Sequence, residues 1–221
     1  MDPLALLYAS VKGDLAAVRS LLRAGADVHA REPTYQTTAL NQAAFAGHTA
    51  VVRELLRAGA RVEDKSIESY TALDQASSGG HVDVVRVLLA AGASVHTRTT
   101  NQQTPIYGAA SYGHADVIRV LVHEGRARVD DKDVDCWTAL HMACHEGHVE
   151  AARALLAARA DVHARTNDQR TSLHIASRRG HAAMIRLLVH CAAAGLEDKA
   201  SEGKTALHSP LASATSTRLP P

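Results

Sequence analysis

The sequence predicts an all-α repeat solenoid, a stack of short helix-turn-helix units joined by loops, and three observations carry that expectation. Gly-His recurs at Gly47-His48, Gly80-His81, Gly113-His114, Gly147-His148 and Gly180-His181, with Gly13-Asp14 as a weaker first member. Successive glycines of this series lie 34, 33, 33, 34 and 33 residues apart. Ahead of each full member stands a threonine-led run: TALNQA from Thr38, TALDQA from Thr71, TPIYGA from Thr104, TALHMA from Thr138 and TSLHIA from Thr171, with a shorter TALH from Thr205. After each comes VVRELLRAGA or a variant of it. A fixed period of this length marks a repeat array, in which no unit closes a core alone and stability comes from stacking.

The elements of one unit follow from its residues. Thr138 opens a first helix as its N-cap, the hydroxyl accepting an orphan backbone N–H, and the helix runs to about Glu146. Gly147 ends it. A second helix from about Val149 to Ala157 carries Ala151, Ala152, Leu155 and Leu156, an apolar stripe that packs on the first helix and on the neighbouring unit. The run RADVHARTND then supplies the turn. Units fall at about 3–32, 33–65, 66–98, 99–132, 133–165 and 166–199, with a partial unit at 200–208; residues 209–221, rich in Ser, Thr and Pro, read as a disordered tail.

Composition narrows the function classes. Lys and Arg number 24 against 23 Asp and Glu, a balance that produces no long-range field for nucleic acid or an anionic membrane surface. The three cysteines, Cys136, Cys144 and Cys191, are odd in number and widely spaced, which points to a reducing compartment rather than a disulfide framework. The start, MDPLALLYASVKGD, lacks a basic n-region and a long apolar run, and Arg or His interrupts every apolar stretch before it could span a bilayer. The expectation is a soluble monomer inside the cell, cytoplasmic or nuclear, without a transmembrane segment.

On these residues the chain resembles the ankyrin-repeat family, whose units run near T-P-L-H-x-A-A-x-x-G-H and then V-V-x-L-L-x-x-G-A-D-V-N. The resemblance covers roughly residues 4–208. It implies that the loops project as β-hairpin-like fingers roughly perpendicular to the helices. It also implies that fingers and first helices line a concave groove, the variable places being the fingertip up to the residue before Thr and the two residues before Gly-His.

The run HMACHEGH tests this reading. His141, Cys144, His145 and His148 would share one face of a continuous helix, as metal ligands require. The repeat absorbs most of them. His141 occupies the T-x-x-H position with His174 and His208, His148 the Gly-His position, and Cys144 a small-residue slot held elsewhere by Ser10, Ala44, Ser77, Ala110 and Ser177. Only His145 is unexplained, so no metal and no cofactor is expected. Asp130, Asp131, Asp133 and Asp135 alternate without the glycine or the distal bidentate Glu of a calcium loop and read as a solvated turn. No nucleophile with a base, and no Gly-rich phosphate loop after a strand, supports an enzyme.

Function then rests on positions that vary while the framework repeats. Of seven aromatic residues, Tyr35, Phe45, Tyr70, Tyr112 and Trp137 fall in the groove positions that the resemblance implies. Tyr and Trp are the usual anchors of protein interfaces, so the expectation is a protein-binding groove in a non-catalytic adaptor. His145 joins them, and charge refines the picture. Asp135, with Asp133 and Glu146, lies toward the fifth unit, and Arg170, Arg178 and Arg179, with Arg165, lie in the sixth, so a partner should carry a complementary gradient. An alternative reads Arg19, Arg53, Arg86, Arg119, Arg153 and Arg186, a ladder on the outer face, or the basic sixth unit, as a contact for phospholipid headgroups or nucleic acid. The plainer account of that ladder is a solvated face whose long stems cover apolar helix surface.

Several departures from the pattern carry further expectations. Asn41, Asp74 and Tyr107 replace the T-x-x-H histidine, which removes its link to the Thr hydroxyl, so the expectation is that the second to fourth units either are looser or use these side chains in the groove. Arg159 and Ala192 replace a helix-ending glycine, so those turns need another solution. The runs EGRARVDD and CAAAGLED each lengthen a connection, and the first unit lacks a finger and reads as an N-terminal cap. Pro210 would break the helix expected after Thr205, leaving Ala182, Met184, Ile185, Leu188 and Val189 without a capping neighbour.

Overall fold

The computed structural model describes residues 4–192, and its α-helices follow one another in pairs. They are α1 (Ala5–Lys12), α2 (Leu15–Arg23), α3 (Ala39–Phe45), α4 (Thr49–Arg57), α5 (Ala72–Ser78) and α6 (Val82–Ala90), then α7 (Pro105–Ser111), α8 (Ala115–His123), α9 (Ala139–Glu146), α10 (Val149–Ala157), α11 (Ser172–Arg179) and α12 (Ala182–Ala192). Among the described residues the extended structure is a single isolated bridge, Arg31 to Thr38. The chain divides into two compact units, one taking residues up to 109 with 116–127, the other taking 110–115 and the described residues from 128 onward.

In the first unit α3 and α5 each start on a threonine in extended conformation, Thr38 or Thr71, whose hydroxyl accepts the third backbone N–H of the helix, whereas α1 starts on Leu4 without a side-chain cap. The turn between the paired helices passes through Gly47 (φ 77°) or Gly80 (φ 75°). Left-handed backbone suits glycine, and at Gly47 a second demand is added: a Cβ there would lie 2.5 Å from the His81 ring. The Gly-His pair is therefore an inter-repeat device. His48 Nε2–H donates to the Val11 carbonyl at 2.8 Å, and His81 Nε2–H to the Phe45 carbonyl at 2.9 Å, each reaching the end of the preceding first helix. In the Gly13-Asp14 member Asp14 does other work: its carboxylate caps α2 by accepting the Ala17 N–H at 2.9 Å. Apolar residues four apart on the second helices, with their neighbours, form the core. Val51, Val52 and Leu55, Val84, Val85 and Leu88, and Val117, Ile118 and Leu121 are all buried, against Leu40, Leu73 and Ile106 of the first helices.

Neighbouring fingers in this unit are tied at base and tip. Arg31 Nη1–H donates to the Lys65 carbonyl at 2.6 Å and Lys65 Nζ–H to the Arg98 carbonyl at 3.4 Å. At the tips the Ile67 N–H reaches the Tyr35 carbonyl at 2.8 Å and the Thr100 N–H the Glu68 carbonyl at 3.1 Å. Each tip turns through a left-handed residue that is not glycine: Gln36 (φ 56°), Ser69 (φ 65°) and Gln102 (φ 61°).

The second unit repeats these devices. Thr138 caps α9, Thr171 lies at the start of α11, Gly147 and Gly180 end these helices, and Cys136 and Gln169 take the left-handed tip positions. His148 Nε2–H donates to the Ser111 carbonyl at 3.1 Å and His181 Nε2–H to the His145 carbonyl at 3.0 Å. Lys132 Nζ–H reaches the Arg165 carbonyl at 3.4 Å, and the Asn167 N–H the Asp135 carbonyl at 3.0 Å. The second helix, expected from about Val149 to Ala157, has those bounds, and the first runs from Ala139 to Glu146 after the Thr138 cap.

Some expectations are corrected. Asn41 and Asp74 do not lose the threonine link: the Thr38 hydroxyl donates to Asn41 Oδ1 and the Thr71 hydroxyl to Asp74 Oδ2, both at 2.7 Å. A carboxylate or amide oxygen replaces the imidazole acceptor at equal reach. Met184 and Leu188 are fully buried where α12 packs on α10 and α11, whereas Ile185 is half-buried and Val189 is 39% exposed; the capping neighbour whose loss is expected would follow Ala192, outside the described residues. Arg159 solves its turn by adopting φ 66° itself, and in EGRARVDD the left-handed residue is Arg126 (φ 58°), Gly125 lying where a Cβ would meet Val95 at 2.6 Å. Ala192 is the last residue of α12. CAAAGLED beyond Ala192, the partial unit at 200–208, Pro210 and the tail at 209–221 lie outside the described residues.

Candidate partner-binding surface

Three of the aromatic side chains that the sequence singles out stand in solvent. Tyr35 on the second repeat's finger is 61% exposed and Phe45 at the end of α3 is 58% exposed, both in the first unit; Tyr112, after α7 and in the second unit, is 65% exposed. Tyr112 stacks on His114 with ring centroids 6.4 Å apart. Large rings left this open gain little for the fold, since transfer free energy accrues only to area removed from water. Tyr70 and Trp137 differ: both are half-buried on the stems of their fingers.

In the second unit the predicted residues gather around His145. Trp137 meets the His145 ring edge-on at 5.4 Å and lies 6.2 Å from His141. The Arg179 guanidinium donates to His145 Nε2, and His145 Nδ1 lies 2.8 Å from Glu146 Oε1. With Nε2 accepting, the ring proton belongs on Nδ1, where it donates to Glu146. Asp135 is exposed on the fingertip, which Asp133 shapes by accepting the N–H groups of Asp135 and Trp137. Arg170 pairs with Asp168 at 3.0 Å, and Arg178 and Arg179 are exposed at the end of α11. The structure thus brings Trp137, His145 and Arg179 together, sets Asp135, Arg170 and Arg178 elsewhere on the unit's surface, and keeps Tyr35, Phe45 and Tyr70 on the other unit.

Sequence reasoning missed two exposed apolar residues, Tyr8 and Val11 of α1. The first unit of the array reads as a cap, yet Val11 occupies the slot of Phe45, two residues before the turn glycine; that register was the available signal. Ile67 and Val134 at two fingertips are also exposed.

The HMACHEGH side chains are engaged separately. His141 is buried, its Nδ1 accepting from the Thr138 N–H at 3.1 Å and its Nε2–H donating to the Ala164 carbonyl at 3.0 Å. Burial pushes its pKa down to about 4. The Cys144 thiol is buried too, and burial raises it to about 12. The outer arginines are largely matched by acids: Arg19 with Glu54 at 3.1 Å, Arg86 with Glu124 at 3.0 Å, Arg153 with Glu150 at 3.5 Å, and Arg119 with Asp116.

Comparison with known proteins agrees with this architecture. A model of three ankyrin repeats matches residues 6–99 and again 91–166, and a single ankyrin-repeat model matches 168–199. The crystal structure of the human ASB11 ankyrin repeat domain is similar to this chain, with 28% identity and a TM-score of 0.86 over 98% of each chain. Solved structures match in large number, 621 chains, so the likeness identifies the scaffold and not a partner. The curated proteins provide no match. Ankyrin repeats are generally protein–protein interaction modules and are typically non-catalytic. Among the described residues no helix is long and apolar enough to cross a membrane. With family matches running from residue 6 to residue 199, the chain belongs to the ankyrin-repeat family.

Proposed function

We propose that this protein is a non-catalytic adaptor that holds a partner protein in the groove formed by its fingers and first helices. The observation that carries the reading is the exposure of Tyr35, Phe45 and Tyr112 at positions the repeat does not need, while the repeated apolar positions of the second helices are buried. The His145 cluster supplies a second patch, with Trp137 held on edge and Arg179 beside it at the end of α11. The rings anchor the partner, and the charges of the fifth and sixth repeats set its orientation. Free thiols at Cys136 and Cys144 suit a protein working inside the cell, in cytoplasm or nucleus.

The outer arginine ladder is a weaker place for a ligand. Four of its six members already face a carboxylate, so an anionic surface would have to displace those acids to gain the cations. Affinity capture from a cell lysate tests the main reading, with wild type against a triple Tyr35→Ala, Phe45→Ala, Tyr112→Ala variant. The exposed positions make unfolding of the variant a minor concern, and a melting curve checks it. A protein retained by wild type and lost by the variant is the expected result. An unchanged captured set would sink the proposal.

A further inference from the structure

The slot three residues after the capping threonine has two tasks, and one repeat fills it with a group that does only one of them at neutral pH. Toward its own helix the slot accepts. The threonine N–H donates to Asn41 Oδ1 at 3.1 Å, to Asp74 Oδ2 at 2.8 Å and to His141 Nδ1 at 3.1 Å. Toward the next finger it donates. Asn41 Nδ2–H points at the carbonyls of Asp64 and Tyr70, at 3.4 and 3.5 Å, and His141 Nε2–H reaches the Ala164 carbonyl at 3.0 Å. Asp64 and Ala164 lie the same distance along the chain from their slots. The same register assigns Thr97 and Gln103 to Asp74, and their carbonyls can only accept.

We infer that Asp74 is a proton-operated latch between the third and fourth repeats, both in the first unit. With a proton taken from solvent on Oδ1, the carboxyl donates to the next finger as Asn41 and His141 do, while Oδ2 keeps its bonds from Thr71. Without the proton, the register would turn a carboxylate oxygen toward those carbonyl oxygens, and the contact would be repulsive.

The surroundings favour the protonated form. Asp74 is 3% exposed, and burial pushes its carboxyl up from 3.8 to about 6 against the lowering effect of the Thr71 bonds. The charges that act on it, Lys65 and Glu63, both lie on the preceding finger and oppose one another. Neither α3 nor α7 carries a charge. Asp83 and Arg86 on α6 are exposed, as are Arg61 and Glu68 on the preceding finger. Asp64 pairs with Arg31; on the following finger His96 is exposed and Arg98 donates to the Gln102 carbonyl. The folded chain binds this proton more tightly than the unfolded one, so the latch is closed below pH about 4 and opens as pH rises through about 6.

Thermal unfolding of the full chain tests this, with wild type, Asp74→Asn and Asp74→Ala compared at pH 5 and pH 7.5. Other groups titrate in the same range, among them His141, but they are common to all three proteins and cancel in the differences. Asp74→Asn, which carries the donor permanently, is expected to melt about 5 °C above wild type at pH 7.5 and to lose most of that lead at pH 5. Asp74→Ala should melt below Asp74→Asn at both values, because it removes the charge without supplying a donor. A lead of Asp74→Asn that is the same at both pH values, or an alanine variant as stable as the asparagine one, would overturn the latch. So would a carboxyl-carbon resonance of Asp74 that titrates below pH 4.5.

Discussion

The His81 imidazole lies over Gly47 so closely that a Cβ on that glycine would fall 2.5 Å from His81 Nδ1, while the same ring donates through Nε2 to the Phe45 carbonyl at 2.9 Å. The two residues belong to successive repeats, and the ring fits only because the glycine has no side chain. Gly47→Ala therefore meets two costs, a left-handed backbone at φ 77° and a displaced ring. We expect a loss of about 2–4 kcal/mol, read from urea unfolding. Gly25 is the control, since its φ is also positive at 84° but nothing lies within 4 Å of its Cβ position. Gly25→Ala should cost only about 1 kcal/mol.

The fingertips offer stability gains. Gln102 and Gln169 sit at φ 61° and φ 60°, a region that penalises an L side chain. Gln102→Gly and Gln169→Gly should each stabilise the chain by about 0.5–1 kcal/mol, visible as a higher thermal midpoint. Gln36→Gly should bring less, because the Gln36 side chain donates to the Pro33 carbonyl at 3.0 Å. A lower midpoint in all three would show that these side chains contribute more to the turn than their backbone strain costs.

His141 makes one part of the stability acid-sensitive. Its folded pKa, about 4, lies below the ordinary 6.5, so its contribution is complete above pH 6.5 and is lost as pH falls toward 4. The cause is burial first, and protonated Nδ1 would also confront the Thr138 N–H that now donates to it. His141→Asn copies the side chain that the second repeat uses in the same slot. Relative to wild type it should gain up to about 3 kcal/mol between pH 6.5 and pH 4, measured as denaturant midpoints at each pH. Parallel curves for the two proteins would rule this out.

The two described thiols should differ in reactivity. Cys144 is fully buried and its thiol is raised to about 12, whereas Cys136 is half-buried on a fingertip. Since the thiolate is the nucleophile, alkylation of the native chain at pH 8, followed peptide by peptide, should label Cys136 first and spare Cys144 until unfolding. Equal native rates would contradict the burial of α9.

These relationships divide into those a reader of the sequence could find and those that needed neighbours. The bounds of α10 and the capping of α9 by Thr138 were legible, because caps and the apolar stripe act within about a dozen residues and recur at one period. The exposure of Phe45 and Tyr112 was legible for the same reason: they occupy slots where the repeat asks for no fixed side chain. Arg159 and Gln169 in left-handed backbone were not legible, since neither residue favours it. The Gln169 turn is held from outside, by the Arg165 guanidinium donating to the Gln169 carbonyl at 3.0 Å.

By itself the sequence determined the scaffold: a period of 33 or 34 residues, threonine caps, turn glycines and an apolar stripe, each a local or repeated signal. Tertiary structure alone decided which variable side chains fold back. It left Tyr35 open but laid Trp137 against His145, matched the outer arginines with acids, and buried the Asp74 carboxyl against its Thr71 bonds. Exposure, ion pairing and the energy of a buried charge depend on atoms as far as 36 to 38 residues away along the chain, and one residue's identity does not encode that distance.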